Sequence, residues 1–157
     1  MSDNRIAGLI EQFLASKRLS IVGVSRHPQH FSRTLLKEFT QRGYEVVPVN
    51  PNADTIDGQP CFRKLGDIKE IPPMAVIATS AKQMEAAVRE CAQHSVKIAW
   101  LLATPGDKAG RNEAVKATEE AGLCIIDGYC PLMFLENIGF PHIWHKWFMK
   151  VFRLLPV

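Results

Sequence analysis

The sequence predicts an α/β domain: a doubly wound, mostly parallel sheet with helices on both faces, plus an N-terminal and a C-terminal helix. Three observations lead there. Short apolar runs alternate with longer amphipathic stretches all the way from Leu19 to Ile126. The runs are apolar at successive positions, the pattern of strands buried on both faces of a parallel sheet. No internal repeat or low-complexity linker interrupts them, and 157 residues suffice for one domain with its own core.

Each element follows in turn. Residues 4–17 place Ile6, Leu9, Ile10, Phe13 and Leu14 on one helical face, with Ser2 or Asp3 as cap. Leu19–Val24 reads as the first buried strand. The loop Ser25–His30 follows, then a helix over Phe31–Gln41 with Leu35, Leu36 and Phe39 inward and Gly43 as its stop. Tyr44–Val49 is the second strand, ended by Asn50-Pro51-Asn52. Asp57-Gly58 marks a turn, Pro60–Phe62 a short edge strand and Leu65–Ile68 a helical turn. Met74–Ala78, Val96–Leu102 and Leu123–Ile126 are further strands. Between them lie helices Ala81–His94, with Met84, Ala87, Val88 and Cys91 on one face, and Ala109–Ala121, ended by Gly122. The loop Asp127–Pro131 closes the unit.

Composition excludes several functions. The net charge is only +3, and no Lys/Arg run or aromatic RNA-binding stripe is present, so no nucleic-acid partner is expected. No apolar run approaches the ~20 residues of a membrane span. The four cysteines, Cys61, Cys91, Cys124 and Cys130, form no C-x-x-C pair. With no apolar signal-peptide core at the N-terminus, a reducing cytoplasm is the expected location. The chain has no Walker A loop, H-E-x-x-H or G-x-S-x-G, so a binding module is expected ahead of an enzyme.

The stretch Ser20–Asn52 carries the binding chemistry. A strand, a glycine-containing loop and a helix N-terminus form the βαβ opening that commonly holds phosphate. A dinucleotide fingerprint needs G-x-G-x-x-G and an acid near the end of the second strand. Here Gly23 is followed by Val24, Ser25, Arg26, His27 and Pro28, and Asn50-Pro51 stands where the acid belongs. Both departures argue against an NAD(H)-binding redox sensor. Ser25 and Ser32 offer hydroxyls, and Arg26 and Arg33 can pair with phosphate oxygens through several N–H groups. Two arginines and no acid suit a ligand richer in phosphate than NAD. The competing expectation makes both arginines surface charges and Ser32 a helix N-cap. His27 and His30 read as loop residues.

The runs G-V-S-R-H-P, F-S-R-T-L-L-K-E-F and R-G-Y-E-V-V-P-V-N-P are continued by D-G-Q-P-C-F, Leu65–Ile68, Trp100-Leu101, A-G-L-C-I-I-D and Cys130-Pro131. Together they resemble the small stand-alone CoA-binding domain proteins of the YccU-like type, which are similar to the CoA-binding domain of succinyl-CoA synthetase alpha subunits. The resemblance spans residues 15–135. It implies a Rossmann-like fold and CoA or acyl-CoA as ligand. By position it implies that Gly23, Val24, Ser25 and Arg26 form the phosphate loop, with Ser32 and Arg33 facing the phosphates from the helix start. Asn50 and Pro51 would border the adenosine, Thr79 and Ser80 would lie across the crevice, and Cys130 and Pro131 would close the site. Three places depart from the family. Thr79-Ser80 stands where F-R is common, Trp100–Gly106 reads W-L-L-A-T-P-G in place of W-x-Q-x-G, and Tyr129 replaces an Arg before Cys-Pro. All three fall on the side implied for the pantetheine arm. The chain ends before the domain that carries the phosphorylated histidine in the synthetase. A non-catalytic sensor, carrier or partner subunit is therefore expected. The alternative is an acyl-CoA-handling enzyme or subunit completed by Cys130 or a partner chain.

Cys130 is the strongest thiol candidate, for a mixed disulfide with the CoA sulfur, although a buried structural thiol is the expectation for it as for the other cysteines. Residues 1–135 are read as the ligand-binding domain and 136–157 as its amphipathic helical extension. There Phe140, Ile143, Trp144, Trp147, Phe148, Val151, Phe152 and Leu155 form one stripe, opposite His142, His145, Lys146, Lys150 and Arg153. Such an aromatic load is expected to pack on its own domain or in a homodimer, ahead of a membrane surface. His142 and His145, even with Cys130, are too few for a metal site, and none is expected.

Overall fold

A computed structural model describes residues 3–102 and 108–135. The Phe140–Leu155 stripe and Pro105-Gly106 lie outside the described residues. Along the chain run α1 (Asp3–Ala15), β1 (Arg18–Val22), α2 (Phe31–Gln41), β2 (Glu45–Val49), β3 (Thr55–Ile56), β4 (Gln59–Pro60), β5 (Met74–Ile77), α3 (Ala81–Gln93), β6 (Ile98–Leu101), α4 (Lys108–Ala121) and β7 (Cys124–Asp127). Short 3-10 turns occupy Leu65–Asp67 and Pro131–Phe134.

Five strands form one parallel sheet in the order β2-β1-β5-β6-β7. The order reverses beside β1, so the chain winds outward in both directions from the β1/β5 boundary. Right-handed crossovers then place helices on opposite faces. The burial pattern agrees. Leu19, Ile21, Val76 and Trp100 pack with Ile10 and Phe13 of α1 and Leu35, Leu36 and Phe39 of α2. The alternate residues Val22, Ala75, Ile77, Ala99 and Leu101 pack with Met84, Val88 and Cys91 of α3 and Ala114 and Ala117 of α4. The period of two along each strand thus separates the two cores.

The ends of the elements have local causes. α1 stops at Ala15, before the expected Lys17, because Lys17 takes φ +56° and turns the chain into β1. β1 stops at Val22, since Gly23 at φ +91° leaves the strand direction. Asp57 and Gly58 both have positive φ, +50° and +76°, the two-residue turn whose twist matches a hairpin. β3 and β4 are that hairpin, and Ile56 anchors it in the core. Of the expected Pro60–Phe62 edge strand, Pro60 ends β4 and Phe62 forms a single parallel bridge to Val49 of β2. Among the described residues no helix is long and apolar enough to cross a membrane.

Candidate functional site

The C-terminal ends of β1, β2 and β5 open into a cleft of about 490 Å³. This is the topological switch point of the sheet, where open α/β folds bind ligands. Its walls include Gly23, Ser25, Asn50, Pro51, Thr79 and Ser80. Six of the sequence-derived site residues therefore meet in one place.

Gly23 determines how closely β1 and β5 can approach. A Cβ there would lie 2.8 Å from Thr79 Cγ2 and 2.9 Å from the Thr79 backbone nitrogen. Combined with its positive φ, this leaves room only for glycine. The Gly23 and Val24 N–H groups both donate to the Val49 carbonyl, at 2.8 and 3.2 Å, locking the start of the loop to β2. Asn50 braces the same loop: its Nδ2 donates to the Val24 carbonyl at 2.6 Å, while its Oδ1 accepts the Asn52 N–H at 2.7 Å. Val24 itself is fully buried and contributes backbone only.

The serines and arginines of the loop divide their roles. Ser32 is buried in the second helical position. Its hydroxyl accepts the Ser25 N–H at 2.9 Å and lies 2.8 Å from His30 Nδ1. His30 caps α2 by accepting the Ser32 N–H at 3.2 Å. The cap is thus a histidine two positions earlier than the serine. Arg33 is 9% exposed and turns away from solvent. It forms a two-pronged ion pair with Asp57 and donates to the Ser25 and Arg26 carbonyls at 3.2 and 3.3 Å. Arg26, next to the lining residue Ser25, is exposed, and its side chain has no partner among the described residues.

Across the cleft, Ser80 precedes α3 without capping it, because its hydroxyl donates to Gln83 Oε1 at 3.2 Å instead. The Gln83 N–H donates to the Ser80 carbonyl at 2.9 Å, which leaves the Ala81 and Lys82 amides at the helix start, where the helix dipole favours an anion. Beside it, Thr79 Oγ1 is a buried polar atom with no hydrogen-bond partner among the described residues. Gln83, Ala87 and Glu90 of α3 and Arg63 complete the wall. The sequence reading passed over these. The signal available was the spacing of Gln83 and Glu90, seven residues apart and flanking Ala87 at the edge of the Met84–Cys91 apolar face.

Cys130 and Pro131 lie elsewhere. Neither lines the cleft. Cys130 packs on the core that holds Val24, Trp100 and Leu132, and it starts the Pro131–Phe134 turn. Burial pushes its thiol up, opposed by the Leu132 and Met133 amides, so it stays protonated near neutrality. Trp100 pins this corner by donating from Nε1 to the Tyr129 carbonyl at 2.9 Å. Asp127 is paired with Arg111 at 2.7 Å. Among the described residues no cluster of His, Cys, Asp and Glu could hold a metal ion.

Comparison with known proteins agrees with this geometry. Residues 17–136 match the model of a family described as CoA binding domain. An ADP-forming acetate–CoA ligase II of Archaeoglobus fulgidus is 31% identical over 100 residues, 62% of this chain but 15% of the ligase. The uncharacterized protein YneT of Bacillus subtilis is 27% identical over 115 residues, 73% of this chain and 82% of its own length. Among solved structures, the apo form of dinucleotide-forming acetyl-coenzyme A synthetase 1 from Ca. Korarchaeum cryptofilum superposes with a TM-score of 0.65 at 24% identity. That match covers 75% of this chain and 27% of the synthetase, and it speaks to the fold. The family match covers most of the chain, includes the whole switch-point cleft, and carries the Rossmann-like sheet with it: the chain belongs to the CoA binding domain family.

Proposed function

We propose that this chain binds CoA or an acyl-CoA in the switch-point cleft and acts as a non-catalytic module, a sensor, carrier or partner subunit, in the cytoplasm. The observation that carries the reading is the unused donor set around the Gly23–Thr79 contact. The N-terminus of α3 and the orphaned Thr79 hydroxyl border one cleft, and the unpaired Arg26 directly follows its lining residue Ser25. Such donors suit a ligand with several phosphate groups. The cleft offers Asn50, already engaged with Val24, where a dinucleotide site would need an acid for the ribose. When bound, CoA would supply a thiol or thioester. This chain's own part would be to orient the phosphates and hold the loop. The half-buried, protonated Cys130, outside the cleft wall, supports a structural thiol over a reactive one. The same reading assigns residues 136–157 to packing on the domain or on a second copy.

The test is a thermal-shift and calorimetric comparison. CoA at a hundred times its Kd should stabilise the fold by about 2.7 kcal/mol, and NAD should leave it unchanged. Arg26→Ala should weaken CoA binding by about 1.5–3 kcal/mol without lowering the melting temperature. A shift with NAD and none with CoA would overturn the ligand assignment. Loss of acyl-CoA thioester that disappears in Cys130→Ala would overturn the non-catalytic part and establish the enzyme alternative.

A further inference from the structure

We propose that Arg33 is a positioning residue for the ligand loop, and that Asp57, at the tip of the β3–β4 hairpin, is its anchor. The inference rests on the cleft being the ligand site, but its first test does not. An arginine offers five N–H donors in a rigid fork. Four are occupied in the structure: Nε and Nη2 hold the two Asp57 oxygens, and Nη1 donates to the Ser25 and Arg26 carbonyls. A phosphate could reach at most one. The Arg33 side chain is also only 9% exposed, so its charge needs a counter-ion inside the fold. The Asp57 carboxylate, itself 57% exposed, is that ion. The paired positive φ values of Asp57 and Gly58 hold it in place.

The consequence for the site comes through peptide geometry. In a trans peptide the C=O and N–H point in opposite directions. With the Ser25 carbonyl drawn onto Arg33, the Arg26 N–H is directed the other way, and it has no acceptor among the described residues. With the Arg26 carbonyl drawn in as well, the His27 N–H turns onto the Ser25 hydroxyl at 3.1 Å. A hairpin distant in sequence thereby sets the direction of the Arg26 amide that would meet an anion. Arg33 acts through those peptides, and Arg26 is left as the arginine that meets the ligand.

Three variants of the full chain test this: Asp57→Asn, Arg33→Lys and Arg33→Gln. Hydrogen exchange is measured first, without ligand. Asp57→Asn should speed exchange of the His27 amide about tenfold, and unchanged exchange overturns the latch. CoA affinity is measured second, at several salt concentrations. Asp57→Asn and Arg33→Lys should each weaken CoA about tenfold, and Asp57→Asn combined with Arg33→Gln should lose no more than Arg33→Gln alone. The salt dependence should stay that of the unmodified chain in all of them. A flattened salt dependence in the Arg33 variants, with Asp57→Asn binding normally, overturns the proposal and makes Arg33 a direct phosphate ligand. If the unmodified chain binds no CoA, the ligand assignment fails and the exchange measurement alone decides the latch.

Discussion

Burial raises the Cys91 thiol from its ordinary 9.0 to about 12, because α3 turns it into the core beneath the sheet. The unfolded chain loses this proton above about pH 9, while the folded chain keeps it. The group's contribution to stability is therefore complete below pH 9 and is lost as pH rises toward 12. By pH 10.5 that loss should reach about 2 kcal/mol. Denaturation midpoints at pH 8 and 10.5 should fall less steeply for Cys91→Ala than for the unmodified chain, and equal slopes would show that the thiol opens to solvent. Other single residues show why chemistry at this scale is only half legible. Arg26 and Arg33 look alike in sequence, two cations flanking one loop. Their difference lies in Asp57, twenty-four residues from Arg33, which only the folded chain brings to it.

Among the elements, α2 has the bounds that its apolar spacing and Gly43 require, and α3 and α4 differ from expectation only at their ends. The Pro131–Phe134 turn escaped the reading because its residues show neither period; its fold comes from Leu132 and Met133 entering the core. α3 and α4 pack at unusually close range around Gly110. In an isolated helix, replacing glycine by alanine gains up to ~1 kcal/mol. At Gly110 the new Cβ would stand 2.6 Å from the Ala81 carbonyl oxygen and 2.8 Å from its carbon. A backbone atom cannot rotate aside, so overpacking of about 1–3 kcal/mol outweighs the helix gain. Gly110→Ala should destabilise the fold by about 1–2 kcal/mol in urea denaturation. A stabilised variant would mean that the two helices separate at little cost.

At the scale of the molecule, the open sheet places α1 and α2 on one face, α3 and α4 on the other, and the cleft at the seam between them. The proposed packing of residues 136–157 is tested by Trp144→Glu combined with Trp147→Glu, using light scattering and thermal denaturation. A monomer with a lowered melting temperature places the stripe on its own domain, and a dimer converted to monomer places it on a second copy. No change in either would refute both and leave a membrane surface. The alternation of buried runs with 3.6-period stretches carries the doubly wound architecture, since local periodicity records which face of each element is buried. The lone Gly23, the arginine pair and Asn50-Pro51 carry the likeness to a CoA site, because glycine and charge leave a mark at single positions. Which residues line the cleft is a different kind of fact. Cys130 and Thr79 each follow a strand at the same sheet edge, yet one packs into the core and the other borders the cleft. His30 rather than Ser32 caps α2, and Arg33 belongs to Asp57. Such assignments depend on distances between residues far apart in the chain, and only tertiary packing sets those.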